Sequence, residues 1–171
     1  MDDRGPGGAF LLTQLGTHAA RRFGERVEAL DLTPPQAGLI RAVAQAPGRS
    51  QQALAARLGT PATRLVALVD GLEQRGLLER RRNPDDRRLY AVHLTAAGRE
   101  LLTDLGRVAR EHDDALLTAL APDERRTLAQ LLGRVAAEQG LTPGVHPGYR
   151  DLTAGAATGL VGDPDPGRSD P

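Results

Sequence analysis

Five arginines lie close together in the middle of the chain, on both sides of a short turn signal. Residues 80–82 and 87–88 are all arginine, and the run Asn-Pro-Asp-Asp at 83–86 separates the two groups. A guanidinium keeps its positive charge and can form two parallel hydrogen bonds with a phosphate or with the edge of a guanine. The cluster therefore predicts contact with nucleic acid; the alternative is a solvated arginine-rich hairpin on an unrelated helical domain.

Residue types that the sequence lacks exclude several other kinds of chemistry. The chain has no cysteine, and all 22 of its basic residues are arginine. Thiol nucleophiles, disulfides, cysteine-ligated metals and catalytic lysines are therefore excluded. The 4 histidines have no metal-ligand spacing, and no carboxylate pair or Ser/His pattern suits catalysis. We expect no metal site, no cofactor and no enzymatic activity.

The charge is unevenly distributed along the chain, although the formal net charge is zero. Residues 49–99 contain ten arginines and five acidic residues, which gives this segment a net charge of +5. Residues 100–140 and 141–171 have net charges of −3 and −2. A basic segment in a neutral chain indicates an anionic partner for that segment, and it excludes a polycation that binds indiscriminately.

Apolar spacing and capping residues predict four helices before the arginine cluster. Apolar residues three to four apart indicate one long helix over 9–30, and a second follows Thr33 and ends near residue 46. Ser50 and Gly59 are expected to bound a short third helix. Thr60 followed by Pro61 predicts the cap and first residue of a fourth helix, which closes at residues 75–76. The third and fourth helices form a helix-turn-helix candidate.

A hairpin and two further helices are predicted after the helix-turn-helix. Residues 77–82 and 89–95 are strand candidates around the turn at 83–86, and Tyr90, Val92 and Leu94 alternate with Ala91 and His93 as in a half-buried strand. Thr95 is expected to cap a helix that runs to about residue 120, and Pro122 to begin a last helix that ends at Glu138.

The predicted fold is mainly α with a small β-hairpin wing, in the order α-α-α-α-β-β-α-α. Residues 49–95 form a winged helix-turn-helix unit, and residues 9–48 and 96–140 form a helical dimerisation region whose apolar stripes the small middle unit cannot cover. Residues 1–8 are expected to be a flexible N-terminus. Residues 141–171, rich in proline and glycine, are expected to be a disordered tail. No signal peptide or membrane span is predicted, and we expect a cytoplasmic protein.

At this point the sequence resembles the MarR (multiple antibiotic resistance regulator) family of transcription factors over residues 11–139. The segments that carry the resemblance are SQQALAARLG at 50–59, TRLVALVDGLEQRGLLER at 63–80, NPDDRR at 83–88 and LTAAG at 94–98. The resemblance implies a homodimeric winged-helix regulator, more often a repressor than an activator, that leaves double-stranded operator DNA when a small molecule binds or a cysteine is oxidised. Because this chain has no cysteine, a noncovalent ligand, or none, remains.

The resemblance also implies roles for individual residues. The fourth helix would be the recognition helix in the major groove, with Arg64 as the best candidate for a base or phosphate contact and the wing in the minor groove. Ser50 and Gln51 would contact the DNA backbone. Asp86 would orient Arg88, the wing arginine, or would cap the turn; Asp70 would pair with a wing arginine or lie on the surface. The implied DNA-binding residues are Ser50, Gln51, Pro61, Ala62, Thr63, Arg64, Val66, Asp86, Arg87 and Arg88.

In the family, phenolic or other lipophilic anions bind in a crevice between the dimer helices and the winged domain. The residues that would line this crevice here are His18, Arg22, Phe23, Gln36 and His112. Histidines and arginines on helices are more often packing or surface residues, which is the alternative for these positions. Two other functions remain open at this stage: a helical protein-interaction scaffold that does not bind DNA, and a DNA-binding regulator without a ligand.

Overall fold

The computed structural model describes residues 5–82, 90–146 and 149. Six helices and one antiparallel hairpin follow in the predicted order, so the predicted fold class is confirmed. The helices are α1 Gly8–Glu28, α2 Pro34–Gln45, α3 Gln51–Leu58, α4 Ala62–Gln74, α5 Ala96–Leu116 and α6 Pro122–Glu138, and the strands are β1 Leu78–Arg82 and β2 Tyr90–Leu94.

Local capping chemistry accounts for most helix boundaries. Thr33 and Gln36 form a reciprocal capping box at the start of α2, and the hydroxyl groups of Ser50 and Thr95 accept backbone N–H bonds at the starts of α3 and α5. Gly59 ends α3 in the left-handed conformation at φ 65°, which is unstrained for glycine. These predicted caps are confirmed.

Helix α5 ends at Leu116, earlier than the predicted end near residue 120. Pro122 begins α6, and the residue before a proline is excluded from the helical region by the proline ring. Ala121 is accordingly extended, at φ −67° and ψ 159°. Residues 117–121 form the turn between α5 and α6.

The main hydrophobic core lies in the winged unit and beneath α2. Side chains with no exposed surface come from α2 and from three elements of the winged unit: Leu39, Ile40 and Val43 from α2, Leu54 from α3, Leu65, Val69 and Leu72 from α4, and Val92 from β2. Val27 of α1 and Leu105 and Val108 of α5 join the same cluster. The long helices thus attach to the winged unit through a few residues near its edge.

Strand β2 departs from the predicted alternation of buried and exposed residues. Ala91 and Val92 are both buried, whereas Tyr90 is 47% exposed. The reason is a second neighbour: Ala91 forms an isolated bridge with Ser50, and the Val92 amide donates to the Arg49 carbonyl at 3.0 Å. The segment before α3 therefore covers the edge of β2 opposite to β1, and strict alternation is lost.

The described part of the predicted tail has ordered contacts with the helices. Tyr149 is only 5% exposed and belongs to the core cluster, against which Val145 also packs. Burial of an aromatic ring offsets the entropy of ordering a short segment, and the disordered tail over residues 141–171 stays a prediction. Residues 147–148 and 150–171 lie outside the described part of the chain, as do residues 1–4 of the predicted flexible N-terminus.

Candidate functional site

Helix α4 has one face in the core and one face in solvent. Leu65, Val69 and Leu72 are fully buried and fix the rotation of the helix about its axis. On the other side, Pro61, Ala62, Thr63 and Val66 are exposed, and Arg64 is half-buried. The residues predicted for the major groove therefore form the outward surface at the N-terminal end of α4, except that part of the Arg64 side chain is covered.

The start of α4 differs from the prediction by one residue. Pro61 is the N-cap and Ala62 the first helical residue, while Thr60 is only 7% exposed and its amide donates to the Ala55 carbonyl at 3.1 Å. Among the described residues, no side chain caps this helix. The first two helical residues, Ala62 and Thr63, have no intrahelical acceptor for their backbone N–H groups, and the helix dipole would favour an anion at this exposed end.

Ser50 and Gln51 are half-buried at the start of α3. The Ser50 hydroxyl accepts from the Ala53 amide at 3.2 Å, as its predicted cap role requires. The side-chain oxygen of Gln51 accepts from Nε of Arg80 at 3.2 Å, and its Nε2 is buried without a hydrogen-bond partner among the described residues. The Gln51 side chain therefore faces the protein interior, and a phosphate contact by it requires a change of rotamer.

Arg80 of β1 connects α4, the start of α3 and the hairpin. Its guanidinium forms ion pairs with Asp70 and Glu73 of α4, and its backbone N–H donates to the Glu73 carboxylate at 3.1 Å. The Arg80 side chain is 18% exposed. The prediction that Asp70 pairs with a wing arginine is confirmed. Sequence reasoning missed Glu73, although its spacing of three residues from Asp70 on α4 places both carboxylates on one helix face.

The base of the wing carries further positive charge. Residues 78–82 pair with 90–94 in register, from Leu78 opposite Leu94 to Arg82 opposite Tyr90. Arg81 pairs with Glu79 at 2.5 Å, and both Arg81 and Arg82 are exposed. The predicted wing residues Asp86, Arg87 and Arg88 lie outside the described residues.

A cavity of about 810 Å³ lies between the long helices and the winged unit. We call it the effector cavity, after the ligand crevice that the sequence resemblance predicts between these elements. It is lined on one side by α1 and α5 and on the other by α2 and the end of α3, with a contribution from the C-terminal segment. The lining residues are Ala19, Ala20, Phe23, Pro34, Pro35, Ala37, Gly38, Arg41, Leu58, Leu102, Leu105, Gly106, Ala109, His112, Gly144, His146 and Tyr149. Small residues on α1, α2 and α5 leave the space that larger side chains would fill.

Two of the five residues predicted for a ligand crevice line this cavity. The rings of Phe23 and His112 are in tilted contact, with centroids 5.6 Å apart. His18, Arg22 and Gln36 are not among the lining residues, and the Gln36 side chain is used in the capping box of α2. Arg41 and Tyr149 were missed. The sequence signal for Arg41 is its spacing from Pro34, Ala37 and Gly38, which places these four residues on one face of α2.

His112 is held toward its neutral form. Burial against α1, followed by the positive charge of Arg26, lowers the pKa of the His112 imidazole below its ordinary value; Arg22 and His18 act in the same direction, and Asp113 opposes them. A neutral imidazole presents both a donor and an acceptor to the cavity. Among the described lining residues, Arg41 is the one with a permanent charge, and none of them is acidic.

Comparisons with known proteins agree with this architecture. A helix-turn-helix followed by a hairpin defines a winged-helix DNA-binding unit, and a sequence model of the MarR family matches residues 30–89. The chain is 32% identical over 126 residues to a putative transcriptional regulatory protein for the hcr operon of Thauera aromatica, covering 73% of this chain and 76% of the relative. The chain belongs to the MarR family.

Two solved structures of related proteins contain DNA. The transcriptional repressor CouR bound to a 23-mer DNA duplex is 33% identical, with a TM-score of 0.67 over 76% of this chain and 92% of that chain. A MarR mutant from E. coli complexed with operator DNA is 26% identical, with a TM-score of 0.64 over 74% of this chain and 91% of that chain. This chain is a transcriptional regulator of the same family. No helix in its described part is long and apolar enough to cross a membrane.

Proposed function

We propose that the protein is a homodimeric repressor that binds a pseudo-palindromic DNA operator and is released by a noncovalent, apolar anionic ligand. The observation that carries the DNA-binding part is the position of α4. Its buried face is fixed in the core, its N-terminal end is exposed and lacks a side-chain cap among the described residues, and Arg80 joins it to the base of an arginine-rich wing.

For DNA binding, we assign the exposed end of α4 to the major groove. Pro61, Ala62, Thr63 and Val66 supply the contact surface, and Arg64 supplies a guanidinium at its edge. The wing enters the minor groove through Arg87 and Arg88, with Asp86 as the orienting partner. Ser50 and Gln51 contribute through the N-terminus of α3, where backbone N–H groups rather than the Gln51 amide face a phosphate.

For dimerisation, we assign the apolar faces that the described chain leaves open on α1 and α6. Helix α6 has no buried residue among those that the structure describes. Its Leu131 and Val135 are 49% and 48% exposed, and Phe10 and Leu15 of α1 are 61% and 55% exposed. Exposed apolar stripes on two terminal helices indicate a partner surface, and a two-fold dimer pairs each stripe with its copy. The two recognition helices then meet half-sites about 10 bp apart.

For release, the position of the effector cavity supports coupling between ligand and DNA. Its walls belong to α1, α2 and α5 of the dimerisation region and to Leu58 of the winged unit. A ligand that fits one arrangement of these elements better than the other shifts the population toward it by that difference in affinity. An apolar lining with Arg41 as its permanent cation favours an aromatic carboxylate or phenolate.

The DNA-binding proposal is tested by selecting duplexes from a random pool and measuring affinity for the selected site by fluorescence anisotropy at several salt concentrations. We expect a two-fold-related consensus and an affinity that falls linearly with salt on logarithmic axes, with a slope of about −0.9 per neutralised phosphate. Arg64→Ala should weaken binding, and Arg110→Ala on α5 is the control with the same loss of charge. A salt-independent affinity, or equal effects of the two substitutions, would contradict the proposal.

The release proposal is tested with 1-naphthoate, an aromatic carboxylate, as the probe. We expect 1-naphthoate to dissociate the complex with the selected duplex, and Arg41→Gln to raise the concentration required. Binding of 1-naphthoate without any change in DNA affinity would contradict the coupling and leave the DNA-binding assignment intact.

A further inference from the structure

We infer that the C-terminal segment, residues 141–146 together with Tyr149, forms one wall of the effector cavity, and that Tyr149 is a ligand-contacting residue. This inference rests on the proposed function, because it assigns a further determinant to the same ligand site. The segment follows α6 and lies well beyond residues 30–89, which match the family model.

Two contacts hold the Tyr149 side chain in place: burial of the residue in the core cluster and a hydrogen bond from its hydroxyl. Its ring is 5% exposed and belongs to the core cluster. Its hydroxyl donates to the carbonyl of Pro35 at 2.5 Å, across 114 positions of sequence. Pro35 lies in the first turn of α2, and that anchor places the phenol against the helix that carries Arg41.

Gly38 provides the space for the ring. An ideal Cβ at Gly38 would lie 2.9 Å from Cζ and 3.0 Å from Cε2 of Tyr149, and the three atoms nearest to that Cβ all belong to Tyr149. Glycine in a helix interior costs about 0.5–1 kcal/mol relative to alanine. A glycine at this position of α2 is therefore explained by the docked ring rather than by the conformation of the helix.

The residues before Tyr149 bring the chain back to the cavity. The Leu141 amide donates to the Ala136 carbonyl at 3.0 Å, and the Tyr149 amide donates to the His146 carbonyl at 3.2 Å. Val145 packs against the core cluster. Gly144 and His146 line the effector cavity together with Tyr149. The segment thus contributes Gly144, His146 and Tyr149 to the lining of the cavity.

The segment acts as a wall rather than as an occupant of the cavity. About 810 Å³ stays open with Tyr149 in place, and the ring is one of the surfaces that bound this space. Burial also raises the pKa of the Tyr149 phenol, so the ring is neutral at physiological pH and offers an aromatic surface without a charge that would repel an anion. An aromatic ligand whose carboxylate pairs with Arg41 would pack its ring against Tyr149.

The docking of Tyr149 is tested without a ligand by a double-mutant cycle. In the Tyr149→Ala background, Gly38→Ala should raise the melting temperature, because alanine is the better helix former. In the wild-type background the same substitution should lower it or leave it unchanged, because the new Cβ displaces the ring. An equal increase in both backgrounds would overturn the inference.

The contact with ligand is tested by calorimetric titration of the full-length dimer with 1-naphthoate. Loss of an aromatic pair corresponds to about a threefold to tenfold weakening, which we expect for Tyr149→Ala. Tyr149→Phe should retain most of the affinity, because it keeps the ring. Tyr90→Ala, which removes the exposed tyrosine of β2, is the matched control and should leave the affinity unchanged.

The outcomes separate this inference from the function on which it rests. Equal affinities of the wild type and Tyr149→Ala would overturn the wall assignment alone, and tighter binding by Tyr149→Ala would show that the segment competes with the ligand and would overturn it as well. Failure of the wild type to bind 1-naphthoate would contradict the apolar-anion site and, with it, the ligand contact of Tyr149. A weaker Tyr149→Ala complex with unchanged DNA affinity supports the inference.

Discussion

The winged unit and the terminal helices bury their apolar residues to very different degrees. In the winged unit, Leu65, Val69 and Leu72 of α4 have no exposed surface. Helix α6 has an apolar stripe of comparable length, yet none of its residues is buried in the described structure. The first region completes its core within one chain, whereas the second leaves its apolar stripe exposed in the described chain, and the proposed dimer covers that stripe. Substitutions in the two regions should therefore affect different equilibria, folding in one and association in the other.

The largest effect is expected from a cavity in the core of the winged unit. Leu72→Ala should lower the free energy of unfolding by about 2–5 kcal/mol, because it removes a fully buried side chain and leaves a void. Urea unfolding at a fixed protein concentration measures this change. Val66→Ala on the exposed face of the same helix is the control, and its effect should stay within about 0.5 kcal/mol. Similar losses for both variants would mean that α4 has no core face.

The terminal helices should respond in association rather than in folding. The double variant Leu131→Asp and Val135→Asp places two charges in the exposed stripe of α6, and we expect the dimer to be weakened by about 2 kcal/mol or more. Analytical ultracentrifugation measures the dissociation constant. Arg126→Ala, also exposed on α6, is the control. An unchanged dimer constant would remove α6 from the interface and leave α1 to account for association.

The wing should respond in DNA affinity with neither folding nor association changed. Arg88→Ala should weaken operator binding by about 1–3 kcal/mol, the range for one well-placed arginine contact, and the dimer should persist. Anisotropy with the selected duplex measures the loss, and ultracentrifugation of the same sample checks the dimer. Undiminished affinity would contradict the minor-groove role of the wing.

The smallest effect is expected beside the cavity, within the terminal helices, where His112 of α5 meets Phe23 of α1. The folded state lowers the pKa of His112, so protonation favours the unfolded state. Stability should be unaffected above the unfolded pKa of about 6.5 and should fall as the pH drops below it. Thermal melts between neutral and mildly acidic pH should show a shallower slope for His112→Gln than for the wild type. Identical slopes would show that His112 does not contribute.

The sequence predicted helix boundaries correctly where the boundary depends on residues close to it in the chain. The caps at Thr33, Ser50 and Thr95 and the left-handed Gly59 are local features, in which one side chain or one φ value satisfies backbone groups a few residues away. The same reasoning was wrong at Thr60, which resembles these caps in sequence. Its amide bonds to Ala55 and its side chain is buried, because the tight turn between α3 and α4 draws it into the core.

In the candidate site, too, local features were predictable from the sequence, whereas contacts between distant segments were not. The sequence indicated which residues at the start of α4 face outward, because a helix with Leu65, Val69 and Leu72 in the core leaves one surface for DNA. It did not indicate the hydrogen bond from Arg80 to Gln51, the contact of Tyr149 with Pro35 or the presence of Arg41 in the cavity. Each of these contacts depends on how separate helices and strands pack against each other, and no pattern of neighbouring residues in the sequence predicts that packing.

The sequence by itself determined the order of helices and strands, the basic middle segment, the absence of a thiol and the family to which the chain belongs. Those properties follow from composition, short-range periodicity and motifs, which act over a few residues. Only the tertiary structure decided that Arg80 joins α4 to the wing, that small residues on three helices leave a cavity, and that Tyr149 closes one side of it. These are contacts between distant segments, and packing of the whole chain selects them.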